Sequence, residues 1–147
     1  MAIRYVHTNL VARDWRALAA FYCDVFACVP VGPERDLAGP AVAAGIGVAG
    51  ASLAGVHLRL PGHGDHGPTL EIYRYEPQPA APAPSVLRPG FGHLAFAVDD
   101  VVAMRARVLR AGGSAVGEVV TTSAGPRSIE WCYVTDPEGN VLELQRG

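Results

Sequence analysis

The sequence predicts an α+β fold, a single domain over residues 1–147 made of two similar modules, 1–75 and 91–147. Three observations predict it: an internal repeat, short segments that alternate apolar and polar residues, and a proline-rich break at the middle of the chain. With His7 laid on His93, HTNLVARDWRALAAFY runs without gaps over HLAFAVDDVVAMRARV, so Asp14 falls on Asp100 and Leu18 on Met104. Later, Leu70-Glu71-Ile72-Tyr73-Arg74 falls on Leu142-Glu143-Leu144-Gln145-Arg146. Sixty-four residues separate His7 from Glu71 and fifty separate His93 from Glu143, so the first half carries an insertion, placed in the Gly/Ala-rich stretch Asp36 to Gly55. Between the halves, residues 76–90 hold Pro77, Pro79, Pro82, Pro84 and Pro89. Missing amide donors and fixed φ angles make this segment an extended linker.

Taken in order, Ile3 to Leu10 is a strand by its alternation. Asp14 then caps a helix whose stripe is Trp15, Leu18, Ala19, Tyr22 and Phe26. The stretch Asp36 to Gly55 stays ambiguous, because its glycines weaken any helix. Val56 to Leu60 and Thr69 to Tyr75 are strands. In the second half Phe91 to Val98 is a strand, and Asp99 or Asp100 caps a helix carrying Val101, Met104 and Val108. Gly112-Gly113 stops that helix. Ile129 to Val134 and Val141 to Gln145 form a hairpin across Asp136-Pro137-Glu138-Gly139, with proline early and glycine late in the turn. Each half is thus a strand, a helix and about three strands.

Composition narrows the function. Half the residues are apolar and 18% are charged, which suits a packed core and excludes a disordered tail. A net charge of −2 without a basic run argues against nucleic acid or an anionic membrane surface as partner. No apolar stretch reaches the roughly 20 residues of a membrane span, and MAIRYVHTNL lacks the pattern of a secretory signal. The expectation is a cytoplasmic protein acting on a small molecule. Cys23, Cys28 and Cys132 are odd in number and form no CxxC pair, so they read as small buried apolar residues.

Strand side chains alternate between faces. Leu70 and Ile72 oppose Thr69, Glu71, Tyr73 and Tyr75, while Leu142 and Leu144 oppose Glu143 and Gln145. Leu94, Phe96 and Val98 likewise oppose His93, and Val6, Thr8 and Leu10 oppose Tyr5, His7 and Asn9. The aliphatic faces must pack on the helices. His7, Glu71, His93 and Glu143 all lie opposite, where a curved sheet with pseudo-symmetric halves can gather them. Two imidazoles and two carboxylates suit one divalent ion of intermediate hardness: Ni, Co, Zn, Mn or Fe. Two positions of an octahedral ion then remain for water or substrate.

At these residues the sequence resembles the vicinal oxygen chelate superfamily, which includes glyoxalase I, methylmalonyl-CoA epimerase, extradiol dioxygenases and antibiotic-resistance proteins. VHTNLVARDWRALAAFYCDVF, FGHLAFAVDDV and YVTDPEGNVLELQ carry the resemblance, which spans nearly the whole chain. It implies two βαβββ modules forming a curved mixed sheet around a metal-binding cup, with ligands at His7, Glu71, His93 and Glu143. It also implies a DPEGN turn that directs Glu143 into the site, and a homodimer, in some members with modules of one site from different subunits. A carboxylate at position 71 favours glyoxalase I and the epimerases over dioxygenases, which use two histidines and one glutamate. The implied chemistry is proton movement beside a carbonyl, with Glu143 as principal base and Glu71 as the second. One departure stands out: Val11 occupies the position where glyoxalase I commonly has a glutathione-binding arginine. Arg127 is then the candidate for a substrate carboxylate, and Tyr73, Trp131 and Tyr133 are candidates to line the pocket. The alternatives are a dioxygenase using His7, His93 and Glu143, and a metal-free binding protein of the bleomycin-resistance type.

Other features are set aside. His63 and His66 lie among glycines and prolines that fix no ligand geometry. His57 and Arg59 alternate against Val56, Leu58 and Leu60, so they face either the substrate or an edge. GIGVAG at 45–50 lacks the spacing of a dinucleotide loop.

Overall fold

A computed structural model describes residues 2–147, which divide into two compact units that meet between Ala80 and Ala81. The first unit runs β1 (His7–Val11), α1 (Trp15–Phe26), β2 (Val29–Leu37), α2 (Pro40–Ile46), β3 (Ser52–Arg59) and β4 (Thr69–Glu76). Its sheet has the order β1-β4-β3-β2, with β1 parallel to β4 and the other pairs antiparallel. The second unit runs β5 (Leu94–Ala97), α3 (Val101–Arg110), β6 (Ser114–Ala115), β7 (Val120–Ala124), β8 (Arg127–Thr135) and β9 (Val141–Arg146). Its order is β5-β9-β8-β6, with β7 also paired to β8 and β5 parallel to β9.

Both long helices begin for the same local reason. The Asp14 carboxylate accepts from the Ala17 amide at 3.0 Å, and that of Asp100 from Ala103 at 2.8 Å. Each thereby satisfies an amide that has no partner within its helix. α1 buries Trp15, Leu18, Ala19, Phe21, Tyr22, Val25 and Phe26 and packs on β3 and β4. The facing strand positions Val56, Leu58, Leu70 and Ile72 are buried. α3 packs on β8 and β9, whose Cys132, Val134, Leu142 and Leu144 are fully buried. Burying a side chain of this size stabilises by roughly 1.5–3 kcal/mol, and this holds each sheet to its helix. Alternation then turns Glu71, Glu143 and their neighbours to the opposite face.

The turn before β9 is tightly held. Asp136, 1% exposed, accepts from the Glu138 and Asn140 amides at 2.9 Å each and from Asn140 Nδ2 at 2.8 Å. Gly139 supplies the left-handed φ of +89° that this turn requires. The register that follows pairs Glu143 with Tyr133.

The α+β class and the repeat stand, and several boundaries move. The strands make two mixed sheets, one per unit, because each unit's last strand hydrogen-bonds to its own first strand. The expected strand Ile3–Leu10 shortens to His7–Val11, and Phe91–Val98 to Leu94–Ala97, since only the residues beside β4 and β9 find ladder partners. Asp36 to Gly55 resolves into the end of β2, then α2 and the start of β3. Pro40 opens α2 and Gly47, at φ +78°, ends it. β2 contains Pro30 and Pro33; it is an edge strand, where missing amides are tolerated.

Candidate metal centre

The register across the first sheet sets Asn9, Glu71 and His57 side by side on β1, β4 and β3. His7 lies one alternation earlier, opposite Thr69. Glu71 is buried and multiply held. His7 Nε2 stands 3.3 Å from its Oε2, His57 Nε2 stands 3.0 Å from its Oε1, and Asn9 Nδ2 donates to Oε2 at 3.1 Å. The other edge of the His57 ring lies 3.3 Å from Thr69 Oγ1, and Tyr73 Oη lies 3.0 Å from His57 Nε2. The ligand atoms of His7, His57 and Glu71 all lie within 4.8 Å of one another. Two nitrogens and a carboxylate converging in this way fit a divalent ion of the Zn, Co, Ni or Fe kind.

Burial shapes the titration of this face. It draws the His57 imidazole below its ordinary value; Glu71 opposes that shift, while Arg35 and His7 add to it. Burial, a hydrogen bond to Glu71 and that carboxylate's charge push the Tyr73 phenol up to about 12, against Arg35. Tyr75 is raised by burial and then by Glu71. Arg35 stands opposite Gly55 on the edge strand, and Gly55 stands opposite Tyr73. A Cβ at Gly55 would overlap the Tyr73 ring, so glycine there gives the phenol its place beside His57.

The second sheet carries a simpler version. His93 Nε2 lies 2.8 Å from Glu143 Oε2. The cross-strand neighbours of Glu143 are Ala95 and Tyr133. Tyr133 packs on His93 with ring centroids 5.0 Å apart, and Trp131 packs on Tyr133 at 5.1 Å. The Trp131 indole donates to Thr122 Oγ1 at 3.0 Å. Farther along β8, Arg127 and Ile129 line an open groove of about 590 Å³ with Ala97, Ser128, Gln145 and Gly147.

Of the four residues expected to share one ion, His7 stands beside Glu71 in the first unit and His93 beside Glu143 in the second. Tyr73 joins the first cluster, and Tyr133 and Trp131 join the second. Arg127 sits six strand residues from Tyr133, about 20 Å at the usual rise per residue. A compact substrate beside Glu143 would not reach it. Sequence reasoning left His57 open between substrate and edge, and it passed over Asn9 and Arg35. Alternation put His57 on a face, but only the β3–β4 register put it beside Glu71. Arg35 lies in a strand to which the sequence pattern assigned no element.

A family model described as Glyoxalase/Bleomycin resistance protein/Dioxygenase superfamily matches residues 4–144. No curated protein sequence matches the chain. Among solved structures, a glyoxalase family protein from Bacillus cereus is similar with TM-score 0.83 and 20% identity, covering 99% of this chain and 95% of that one. A glyoxylase/bleomycin resistance protein/dioxygenase domain from Frankia sp. EAN1pec gives 0.61 at 19% identity, covering 100% and 99%. A family enzyme from Burkholderia phytofirmans PsJN gives 0.56 at 18%, covering 95% of each chain. At these identities the structures support the fold. No helix among the described residues is long and apolar enough to cross a membrane.

Proposed function

The chain belongs to the Glyoxalase/Bleomycin resistance protein/Dioxygenase superfamily, and on that premise we propose that it is a metal-dependent lyase, isomerase or epimerase. It would move a proton beside a carbonyl of a small oxygenated substrate. The observation that carries the reading is the recurrence of one imidazole–carboxylate pair, His7–Glu71 and His93–Glu143, on corresponding strands of two sheets. In this reading His7, Glu71, His93 and Glu143 hold the ion, as the family resemblance implies. A divalent ion, when bound, supplies Lewis-acid stabilisation of negative charge on substrate oxygen.

The chain's own groups divide the remaining work. Glu143 takes the proton from carbon and returns it. Its counterpart Glu71 is held by two imidazoles and an amide, which suits it to holding charge in place and makes it the second base. Tyr133 and Trp131 offer an aromatic wall beside His93. Tyr73, with its phenol kept protonated, offers a hydrogen-bond donor. Arg127, six strand residues from Tyr133, takes no part in holding a small substrate beside Glu143. A homodimer is the assembly this reading expects, and light scattering on the purified chain tests it.

The deciding experiment screens hemithioacetals and acyl-CoA thioesters with Ni, Co, Zn and Mn, comparing the wild-type chain with Glu143→Gln. Loss of a general base lowers turnover by about 10²–10⁴-fold. Unchanged turnover in that variant removes Glu143 from the role.

A second reading is favoured by one observation. Two imidazoles and one carboxylate meeting in the first unit form the donor set of non-haem ferrous oxygenases. Oxygen uptake by the ferrous-loaded chain in the presence of a catechol would select that reading over the lyase.

A further inference from the structure

We infer that the N-terminal sheet has a metal site of its own, in which His57 joins His7 and Glu71 as ligands of one divalent cation, without need of His93 or Glu143. The inference rests on the metal-dependent reading above in taking a divalent ion as the ligand, and gives that ion a different ligand set, with His57 in place of His93 and Glu143 beside His7 and Glu71. His57 lies outside the four residues assigned there.

Spacing is the first argument. Ligand atoms about 2.0–2.2 Å from one ion lie roughly 3.0–3.5 Å apart at octahedral or tetrahedral angles. The His57 nitrogen stands 3.0 Å from one Glu71 oxygen and the His7 nitrogen 3.3 Å from the other. All three donors sit on adjacent strands, β1, β4 and β3, so backbone hydrogen bonds fix their separation. A site placed on paired strands keeps its geometry better than one carried on loops.

Orientation is the second. A ligating histidine is usually aimed by a hydrogen bond at its other ring nitrogen. Thr69 Oγ1 stands at that nitrogen of His57, 3.3 Å away, leaving Nε2 turned toward Glu71 and the Tyr73 hydroxyl, each 3.0 Å from it. Asn9 supplies the matching outer contact to the carboxylate.

The third argument is redundancy. In the second unit one imidazole partners the carboxylate, and Tyr133 stands where His57 stands in the first. Pairing alone therefore does not call for a second imidazole. A cation binding between the two rings and the carboxylate does. Two nitrogens and one oxygen favour Zn, Co, Ni or Fe over Mg or Ca, and three protein ligands leave positions open for water or substrate.

The test titrates the full chain, freed of metal by a chelator, with Co(II) while following its absorption bands, and with Zn(II) against a chromophoric chelator. Wild type, His57→Phe, His57→Gln, Thr69→Val and the double variant His93→Gln/Glu143→Gln are compared, with circular dichroism to confirm folding. The expected result is one equivalent bound by wild type and by the double variant. Both His57 variants should bind more weakly than the 10–100-fold loss typical of a missing outer partner, and with altered Co(II) bands. Thr69→Val should weaken binding about 10-fold. If His57→Phe and His57→Gln bind as wild type does, or the double variant loses the ion, the inference is overturned. In the latter case, with His57 variants unaffected, the four-residue site stands without it. A wild-type chain that binds no ion overturns both.

Discussion

Glu71 and Glu143 occupy corresponding places on corresponding strands, yet the two units treat them differently. Glu71 lies between His7 and His57 and accepts from Asn9. Glu143 pairs with His93, and the stations matching His57 and Asn9 are Tyr133 and Ala95. A carboxylate held on several sides is suited to fixing a charge. One with an apolar methyl on one flank and an aromatic ring on the other keeps the freedom to take a proton and give it back. The repeat thus supplies two copies of a pair, and the neighbouring strands divide holding from proton transfer between them.

The largest expected effect breaks this division directly. Glu143→Gln should cost about 10²–10⁴ in turnover with the smaller loss of metal, and Glu71→Gln should lose the larger share of the metal as well. Equal metal loss in both variants would erase the distinction. Next, Leu70→Ala and Leu142→Ala remove fully buried side chains at matched core stations. Each should lower the unfolding free energy by about 2–5 kcal/mol in urea denaturation. A loss in only one unit would show that the two sheets do not depend equally on their helices.

Gly55→Ala sharpens the contrast at a single position. The corresponding station in the second sheet is Trp131, two residues before Tyr133 as Gly55 is two before His57. A methyl group at Gly55 would overlap the Tyr73 ring and the Ile72 carbonyl, so a loss of about 1–3 kcal/mol is expected, read as a lower midpoint in thermal unfolding. Removing the caps should be milder and alike in the two units: Asp14→Ala and Asp100→Ala at about 1 kcal/mol each. The smallest effect is at the helix ends. α1 ends at Ala27, which holds a left-handed φ of +56°, whereas Gly112 with φ +97° follows α3. Ala27→Gly should raise stability by about 1 kcal/mol, and no gain would show that the strain is relieved elsewhere.

Much of the fold was legible because its signals are local. Asp14 and Asp100 marked helix starts through a side chain reaching three residues ahead. The DPEGN run marked a turn through the geometry of Asp136 and Gly139. Strand ends were less legible, since Ile3 to Tyr5 alternate as strand residues do but lie outside the ladder with β4, which Val6 meets only through its carbonyl, accepting from the Thr69 amide. Residues 29–35 received no element from the sequence pattern; β2 carries Pro30 and Pro33, which its edge position tolerates. At the site, Glu71 and Glu143 were found from the repeat. His57 was not, because the matching station in the other half is Tyr133, and Arg35 lies in a strand to which the sequence pattern assigned no element.

By itself the sequence determined which residues share a face. Side chains alternate with a period of two, and the aliphatic set has to be buried, so His7, Glu71, His93 and Glu143 had to turn away from the helices. Tertiary structure decided who stands beside whom. Register between β3 and β4 is set across the intervening loop and by packing against α1, over distances that no local pattern encodes. A shift of one residue would have sent His57 to the opposite face; the register observed puts it 3.0 Å from Glu71.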